Sequence, residues 1–279
     1  MSHNCLICNG DLKSWKNFEG LVQCRECSFI SSDLDLSEAE LKTYYEADYF
    51  HGKEYDNYTR DIKIIQSNFK NRLKTLKRFI TPSQQTLFEI GCAYGYFLDL
   101  AQKELFRASG IDISAVATTE ARDRLSVNAI SGNFLEIDIP PYDICCLWDT
   151  IEHLKYPDLF IKKIYKEMST GGILALTTGD IGSLNARLRG RRWRQIHLPT
   201  HLHYFSIDTM KKFLISHGFE IIHVSHPGNV INLETICYMV FVLRNDWERI
   251  YFILKKTKLL QLNIYINLLD TMYVIAKKH

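Results

Sequence analysis

The chain has 279 residues, of which 46% are hydrophobic and 24% charged, with a formal net charge of +2. That length buries one sizeable core with room for a small satellite, and the near-balanced charge excludes a global basic field for nucleic acid or membrane surfaces, so an anion site has to be local. No apolar segment follows Met1, which argues against a secretory signal and predicts a cytoplasmic protein.

In chain order, residues 1–33 come first, carrying Cys5-x2-Cys8 and Cys24-x2-Cys27 with fifteen residues between the pairs. Four thiolates on two tight turns satisfy tetrahedral zinc, and a closed four-sulfur shell leaves no open coordination position. The spacing predicts a structural zinc ribbon held by Cys5, Cys8, Cys24 and Cys27. A reducing compartment disfavours disulfides, and Cys92, Cys145, Cys146 and Cys237 sit in apolar runs, where cysteine packs as a small hydrophobe.

Residues 34–80 form a Tyr-rich, charged connector with helical spacing at Leu41, Tyr44 and Tyr45 and again at Ile62, Ile65, Phe69, Leu73 and Leu76. Thr81-Pro82-Ser83 punctuates the chain and opens a main domain over 81–279. Strand candidates follow near 86–91, 107–112, 126–130, 142–148 and 172–178, mostly separated by helical segments, with two more at 219–224 and 271–277. The alternation predicts βαβ units and a parallel α/β sheet with ligands at the carboxyl ends of its strands.

Between the last two strands, residues 229–258 read as a helical insertion, with Leu233, Ile236, Cys237, Val240, Phe241, Trp247, Ile250, Tyr251 and Leu254 at helical intervals. It serves packing on the sheet, a homodimer contact, or contact with a lipid-linked substrate through Lys255, Lys256 and Lys258. Its apolar stretch, Val230 to Leu243, is interrupted by Asn232 and Glu234 and is too short to span a bilayer.

The run from Leu87 to Phe97 places an apolar strand, a turn of small residues (Gly91, Ala93, Gly95) and an amphipathic helix in succession. Gly91 allows a sharp turn and Gly95 a close helix start, so backbone meets a ligand unobstructed. Asp112, 23 positions after Glu89, ends the next strand, where a carboxylate accepts from both hydroxyls of a ribose. An acidic Glu89 suits the cationic end of a methionine better than a pyrophosphate, which favours S-adenosylmethionine over a dinucleotide.

With these residues, Tyr49-Phe50, the run Trp148-Asp149-Thr150-Ile151-Glu152-His153-Leu154, the Gly171-Gly172 turn, and His201-Leu202-His203-Tyr204-Phe205-Ser206, the chain resembles class I S-adenosylmethionine-dependent methyltransferases. It is similar specifically to bacterial enzymes that carry an N-terminal zinc-binding segment and are associated with sugar and surface-polysaccharide pathways. The resemblance implies a Rossmann-like seven-stranded sheet. It further implies that Gly91 and Gly95 line the methionine, Asp112 takes the ribose, Ile113 lies on adenine, and Asn133-Phe134 stands at the adenine amino group, where relatives often have an acid. Asp149 would flank the cofactor. His153, one turn on, either faces the site or caps locally. Ala93 stands where glycine is frequent.

The segment 179–206 carries Arg187, Arg189, Arg191, Arg192 and Arg194 with His197, His201 and His203. Guanidinium forks suit phosphate, so a phosphate-bearing acceptor is expected, with a solvated charged face as the alternative. Methyl transfer to a hydroxyl needs a base, and His201 is the first candidate, His203 the second. Related sugar C-methyltransferases carry Tyr-x-Glu-His before a similar Tyr-Phe-Ser ending. Here the stretch is Leu198-Pro199-Thr200-His201, which favours O-methylation. Two rivals remain: an RNA methyltransferase gripping phosphates with ribbon and arginines, and a non-catalytic scaffold. Ile139-Pro140-Pro141-Tyr142 does not support the first, because it precedes the fourth strand rather than following it.

Overall fold

The computed structural model describes residues 4–16, 18–34, 36–37, 40, 62–242, 247–255, 260 and 262–279. Leu41, Tyr44, Tyr45 and Tyr49-Phe50 of the connector, and Leu243, Lys256 and Lys258 of the insertion, lie outside the described residues. The chain begins with three short strands, β1 (Leu12–Ser14), β2 (Leu21–Cys24) and β3 (Ile30–Ser32), in an antiparallel meander, with Cys5 and Cys8 in the turn that precedes β1 and Cys24 and Cys27 at the turn between β2 and β3.

Helix α1 (Ile62–Leu76) follows, from the second half of the expected connector. Its spacing is helical as anticipated, and its inner stripe ends on Leu73 and Leu76, which share an apolar cluster with Leu87, Phe97 and Ile144. This helix is therefore packed into the main core although it precedes Thr81-Pro82-Ser83.

The α/β body then runs β4 (Thr86–Ile90), α2 (Tyr96–Lys103), β5 (Arg107–Asp112), α3 (Ala115–Leu125), β6 (Asn128–Ser131), β7 (Tyr142–Trp148), α4 (Pro157–Glu167) and β8 (Met168–Gly179). After it come α5 (Leu184–Arg189), the two-residue β9 (His203–Tyr204), α6 (Ile207–Ser216) and β10 (Phe219–Ser225). The chain closes with β11 (Asn229–Asn232), α7 (Leu233–Phe241), α8 (Glu248–Lys255), β12 (Asn263–Ile266) and β13 (Thr271–Lys278). Caps set several helix starts: Ser114 accepts from Ala117 N, and Ser206 with Thr209 forms a reciprocal capping box.

Seven strands pair in the order β10-β13-β8-β7-β4-β5-β6. Those from β8 through β6 are mutually parallel, while β13 runs antiparallel to both β8 and β10, making the sheet mixed. Alternation along single strands builds a core on both faces. On β7, Cys145 and Leu147 point into one cluster and Ile144, Cys146 and Trp148 into the other; on β13, Met272, Val274 and Ala276 oppose Tyr273 and Ile275. Each such leucine, isoleucine or valine contributes on the order of 1.5–3 kcal/mol by burial. Cys92, Cys145 and Cys146 are buried as expected, and Cys237 is half-buried.

Two sequence expectations are corrected. Gly171-Gly172 is no turn between elements but lies inside β8, at an irregularity where the register passes from Tyr142↔Met168 to Ile144↔Ile173. Gly171 takes φ +75°, a left-handed conformation that bends the strand there. The insertion over 229–258 is not wholly helical: Asn229–Asn232 is a strand, paired antiparallel with Asn263–Ile266, and this two-stranded base carries α7 and α8. Helical spacing beginning at Leu233 masked Val230 and Ile231, whose β-branching suits the pleat. The ribbon's sheet also takes in a strand from far along the chain. β9 adds to its edge in the order β1-β2-β3-β9, pairing Ile30 with Tyr204 and Ser31 with His203.

Among the described residues no helix is long and apolar enough to cross a membrane.

Candidate active site

Parallel strands all present their carboxyl ends on one side, and there β4, β5 and β7 surround a cavity of about 250 Å³. The turn after β4 forms its floor. Gly91 has φ +79°, and a Cβ there would approach Thr150 Oγ1 to 2.6 Å; Gly95 has φ +70°, starts α2, and a Cβ would meet Val127 at 2.7 Å. Glycine is required at both by backbone and by space. Ala93, between them, has φ +42°, which explains why glycine is frequent there in the enzymes the chain resembles.

Asp112, at the end of β5, accepts hydrogen bonds from Ala93 N (2.8 Å) and Ser114 N (2.9 Å), which ties the turn to the next strand. Burial pushes its carboxyl up, against those two N–H groups. A carboxylate has about four acceptor sites, so two remain for a ligand. Glu89 is 2% exposed and lines the cavity, and its Oε2 has no hydrogen-bond partner among the described residues. Burial and the neighbouring Asp112 hold its carboxyl well above the usual range, with Arg72 pulling the other way. A buried carboxylate lacking a partner is costly unless a cation or donor satisfies it.

Ile113 is exposed and Phe134 buried; both line the cavity. Asn133, also lining it, accepts from Leu135 N (3.1 Å) and donates to Glu136 (3.0 Å), so its amide is oriented as the cap of the 3-10 turn Phe134–Glu136 and its oxygen keeps a second lone pair. Asp149, past β7 at φ +52°, accepts from Arg72 Nη2 at 2.8 Å and Thr177 Oγ1 at 3.1 Å. Although desolvation by the surrounding wall opposes it, Arg72 holds the part-exposed Asp149 carboxyl below its ordinary range.

The three histidines diverge. His153 lines the cavity; its Nδ1 lies 2.9 Å from Thr200 O. His201 stands behind it, edge to face at 4.5 Å between ring centres, with Nδ1 2.9 Å from Gln195 O. It is not among the residues lining the cavity. Burial pushes His153 down to about 4 and, with the adjacent His153, pushes His201 down to about 3. Burial and Asp149 lift Glu152, beneath them, to about 8. His203 is elsewhere: its ring stacks on Phe29 of the ribbon at 5.9 Å and 19°, away from the cavity, because β9 turns it toward β3. The structure thus brings together every expected cofactor position except Gly95, which acts from behind the turn, and separates His203 from them.

None of the five arginines lines the cavity. Arg189 bonds Asn185, Arg191 bonds the Lys16 carbonyl, and Arg194 pairs with Asp270 at 3.0 Å. Arg187 and Arg192 are exposed. The segment still leaves and returns at the cavity side, from Gly179 at the end of β8 to His201 beside His153.

In the ribbon, Cys5 and Cys27 sulfurs stand 3.4 Å apart, as do Cys8 and Cys24, and all four lie within 4.8 Å of one another. Ile7 N points at Cys5 Sγ and Glu26 N and Cys27 N at Cys24 Sγ, donors that favour thiolate. Burial alone would raise the Cys24 thiol, yet these N–H groups bring it down to about 7.

Sequence reasoning missed Arg72, which reaches Asp149 across 77 positions, and Glu152, whose buried carboxylate faces the histidines. The only signal for Arg72 was a charge between Phe69 and Leu73 on an apolar helix face.

A family model described as a methyltransferase domain matches residues 60–224. No curated protein matches the chain. Among solved structures, a SAM-dependent methyltransferase from Thermotoga maritima is 15% identical, with 85% of this chain and 100% of that one covered at a TM-score of 0.55. A SAM-dependent methyltransferase from Archaeoglobus fulgidus is 18% identical over 80% and 99% of the two chains, TM-score 0.54. A Haloferax volcanii methyltransferase solved in complex with its Trm112 activator is 15% identical over 81% and 96%, TM-score 0.56. At such identities the likeness concerns the fold.

Proposed function

Since the chain belongs to the methyltransferase-domain family and is an S-adenosylmethionine-dependent methyltransferase, we propose that the strand-end cavity takes the methyl donor and that the acceptor is a hydroxyl of a phosphate-bearing small molecule, such as a nucleotide- or lipid-linked sugar. Glu89 carries this reading: its unpartnered, buried Oε2 lines the cavity and fits an ammonium or sulfonium charge. Gly91, Ala93 and Gly95 keep side chains away from the methionine, and Asp112 takes the ribose hydroxyls. Ile113 and Phe134 enclose the adenine, and Asn133 accepts from its amino group. Asp149, fixed by Arg72, closes the polar end.

The bound donor supplies an electrophilic methyl on a positively charged sulfur. His153, with His201 behind it, borders the acceptor side. The arginine-bearing segment begins and ends at that side, which supports an anionic acceptor entering there, with Arg187 and Arg192 exposed to meet it. The four ribbon cysteines fit structural zinc by donor type and spacing.

Calorimetry with S-adenosylmethionine tests the donor site: saturable one-to-one binding is expected, weakened at least about tenfold in Glu89→Gln. A folded protein that binds none would reject the assignment of the cavity. The acceptor is tested by incubating donor and protein with a panel of sugar nucleotides and bulk RNA and reading methyl addition by mass. Methylation confined to RNA, with salt-sensitive binding, would replace the small-molecule acceptor.

A further inference from the structure

We propose that Glu152, His153 and His201 form a second metal site, binding a divalent first-row transition-metal cation beside the donor cavity. A ligand atom from each of the three lies within 4.8 Å of the others. Donors about 2.0–2.2 Å from one ion stand no more than about 4.4 Å apart, so a small side-chain rotation closes the set.

Three independent features fit a cation. First, Glu152 is 4% exposed and its Oε2 has no hydrogen-bond partner among the described residues, so an acceptor atom is held in the interior on a carboxylate that has an oxygen within 4.8 Å of a nitrogen of each imidazole. Second, both histidines are oriented as ligands are: Nδ1 of His153 on Thr200 O and Nδ1 of His201 on Gln195 O, each 2.9 Å. A ring that donates Nδ1–H to a carbonyl has its lone pair on Nε2, and such carbonyl partners fix tautomer and angle around bound metals. Third, the ligands are held by backbone rather than by chance. Leu202 N donates to Glu152 O at 2.8 Å, and Ser32 N of the ribbon donates to Leu202 O at 2.7 Å, so the loop carrying His201 is pinned to Glu152 on one side and to β3 on the other.

Two imidazoles and one carboxylate suit iron(II), zinc, cobalt or manganese, unlike the softer four-thiolate cluster of the ribbon, and leave coordination positions open. His153 lines the cavity, so an acceptor oxygen entering there can reach the ion. A coordinated hydroxyl loses its proton to solvent more readily as its oxygen bonds the methyl carbon and the donor sulfur keeps the electrons of the broken bond. That use rests on the reading of the cavity given above; the binding of the cation does not.

The test is titration of the full chain, its ribbon loaded with zinc, with Co2+. One Co2+ is expected to bind per chain in addition to the zinc, with two solvent-exchangeable, paramagnetically shifted proton resonances from the imidazole N–H groups and no thiolate charge-transfer band. His201→Ala should remove one resonance, and Glu152→Gln, which keeps shape and backbone bonds, should weaken Co2+ at least about tenfold. S-adenosylmethionine binding, measured separately, should survive Glu152→Gln, so failure of the metal site is told apart from failure of the donor site. Absence of exchangeable shifted resonances in the wild type, or equal Co2+ uptake in wild type and Glu152→Gln, would overturn the proposal.

Discussion

Arg72 of α1 donates to Asp149 at 2.8 Å, from a guanidinium that is 9% exposed to a carboxylate that is 45% exposed. The pair joins a helix lying before the α/β body to the end of β7, on the wall of the cavity. Arg72 also stacks against Phe69 and Trp148, each 5.5 Å from the guanidinium carbon, and Tyr273 Oη donates to its carbonyl at 3.1 Å. Its positive charge pulls down the carboxyls of Glu89 and Asp149.

Arg72→Met keeps much of the packing and removes the charge. It should lower stability by about 1–3 kcal/mol, toward the smaller end because Asp149 is part-exposed, with urea unfolding as the readout. Arg72→Lys should recover only part, since a point charge lacks the planar fork and stacks less well. A midpoint unchanged in Arg72→Met would show that the ion pair contributes nothing.

The turn over the cavity floor gives a matched pair of substitutions. Gly91→Ala puts a Cβ 2.6 Å from Thr150 Oγ1 at φ +79° and should cost about 1–3 kcal/mol together with most donor affinity. Ala93→Gly relieves a left-handed alanine at φ +42° while loosening the unfolded chain, so stability should shift by less than about 1 kcal/mol and donor binding should persist. Thermal melts with and without S-adenosylmethionine distinguish the two. Equal behaviour at both positions would contradict this account of the turn.

The strands and the cysteine pairs were legible because each is written locally. A doubly buried strand is a short apolar run between breakers, and β4, β5, β7, β10 and β13 stand within a residue or two of where apolar runs place them. The glycine turn and Asp112 were legible for the same reason. What escaped is long-range. Nothing near Arg72 announces Asp149, and nothing near His203 announces that two residues will complete the ribbon's sheet, because an edge strand that short carries no periodicity. The arginine segment reads as a phosphate grip by composition, yet Arg194 is spent on Asp270 and Arg191 on a ribbon carbonyl, partners that only the fold supplies.

Asp270 makes that segment sensitive to acid. It is 2% exposed and accepts from Asn185 (2.7 Å), Trp193 Nε1 (2.9 Å) and Arg194 (3.0 Å). Burial opposes ionisation, but these donors outweigh it and hold the carboxyl below its ordinary range. Its stabilisation is therefore complete above the ordinary aspartate range near pH 4 and is lost as pH falls through the lower folded value. Fluorescence of the buried Trp193 should change over that acid window, and Asp270→Asn should produce the change at neutral pH at a cost of about 1–3 kcal/mol. A wild-type and Asp270→Asn pair with identical acid profiles would remove Asp270 from that role.

The ribbon bears on the histidines through β3. Ser32 N holds Leu202 O, Ile30 pairs with Tyr204, and Phe29 packs on both His203 and Phe205, so the loop that carries His201 leans on the cysteine module. If zinc organises the four thiols, removing it deprives β9 of its partner strand before it disturbs the seven-stranded sheet. Cys24→Ser, or chelation of the wild type, should leave most far-ultraviolet dichroism and donor binding intact while amide exchange at Leu202, His203 and Tyr204 accelerates by at least about tenfold, the size of a local opening eased by about 1.4 kcal/mol. Exchange accelerating equally in β4 and β7 would mean that the ribbon supports the whole core. Unchanged exchange at Leu202 would mean instead that the loop stands without it, and that the link from Ser32 to Glu152 is a contact without mechanical consequence.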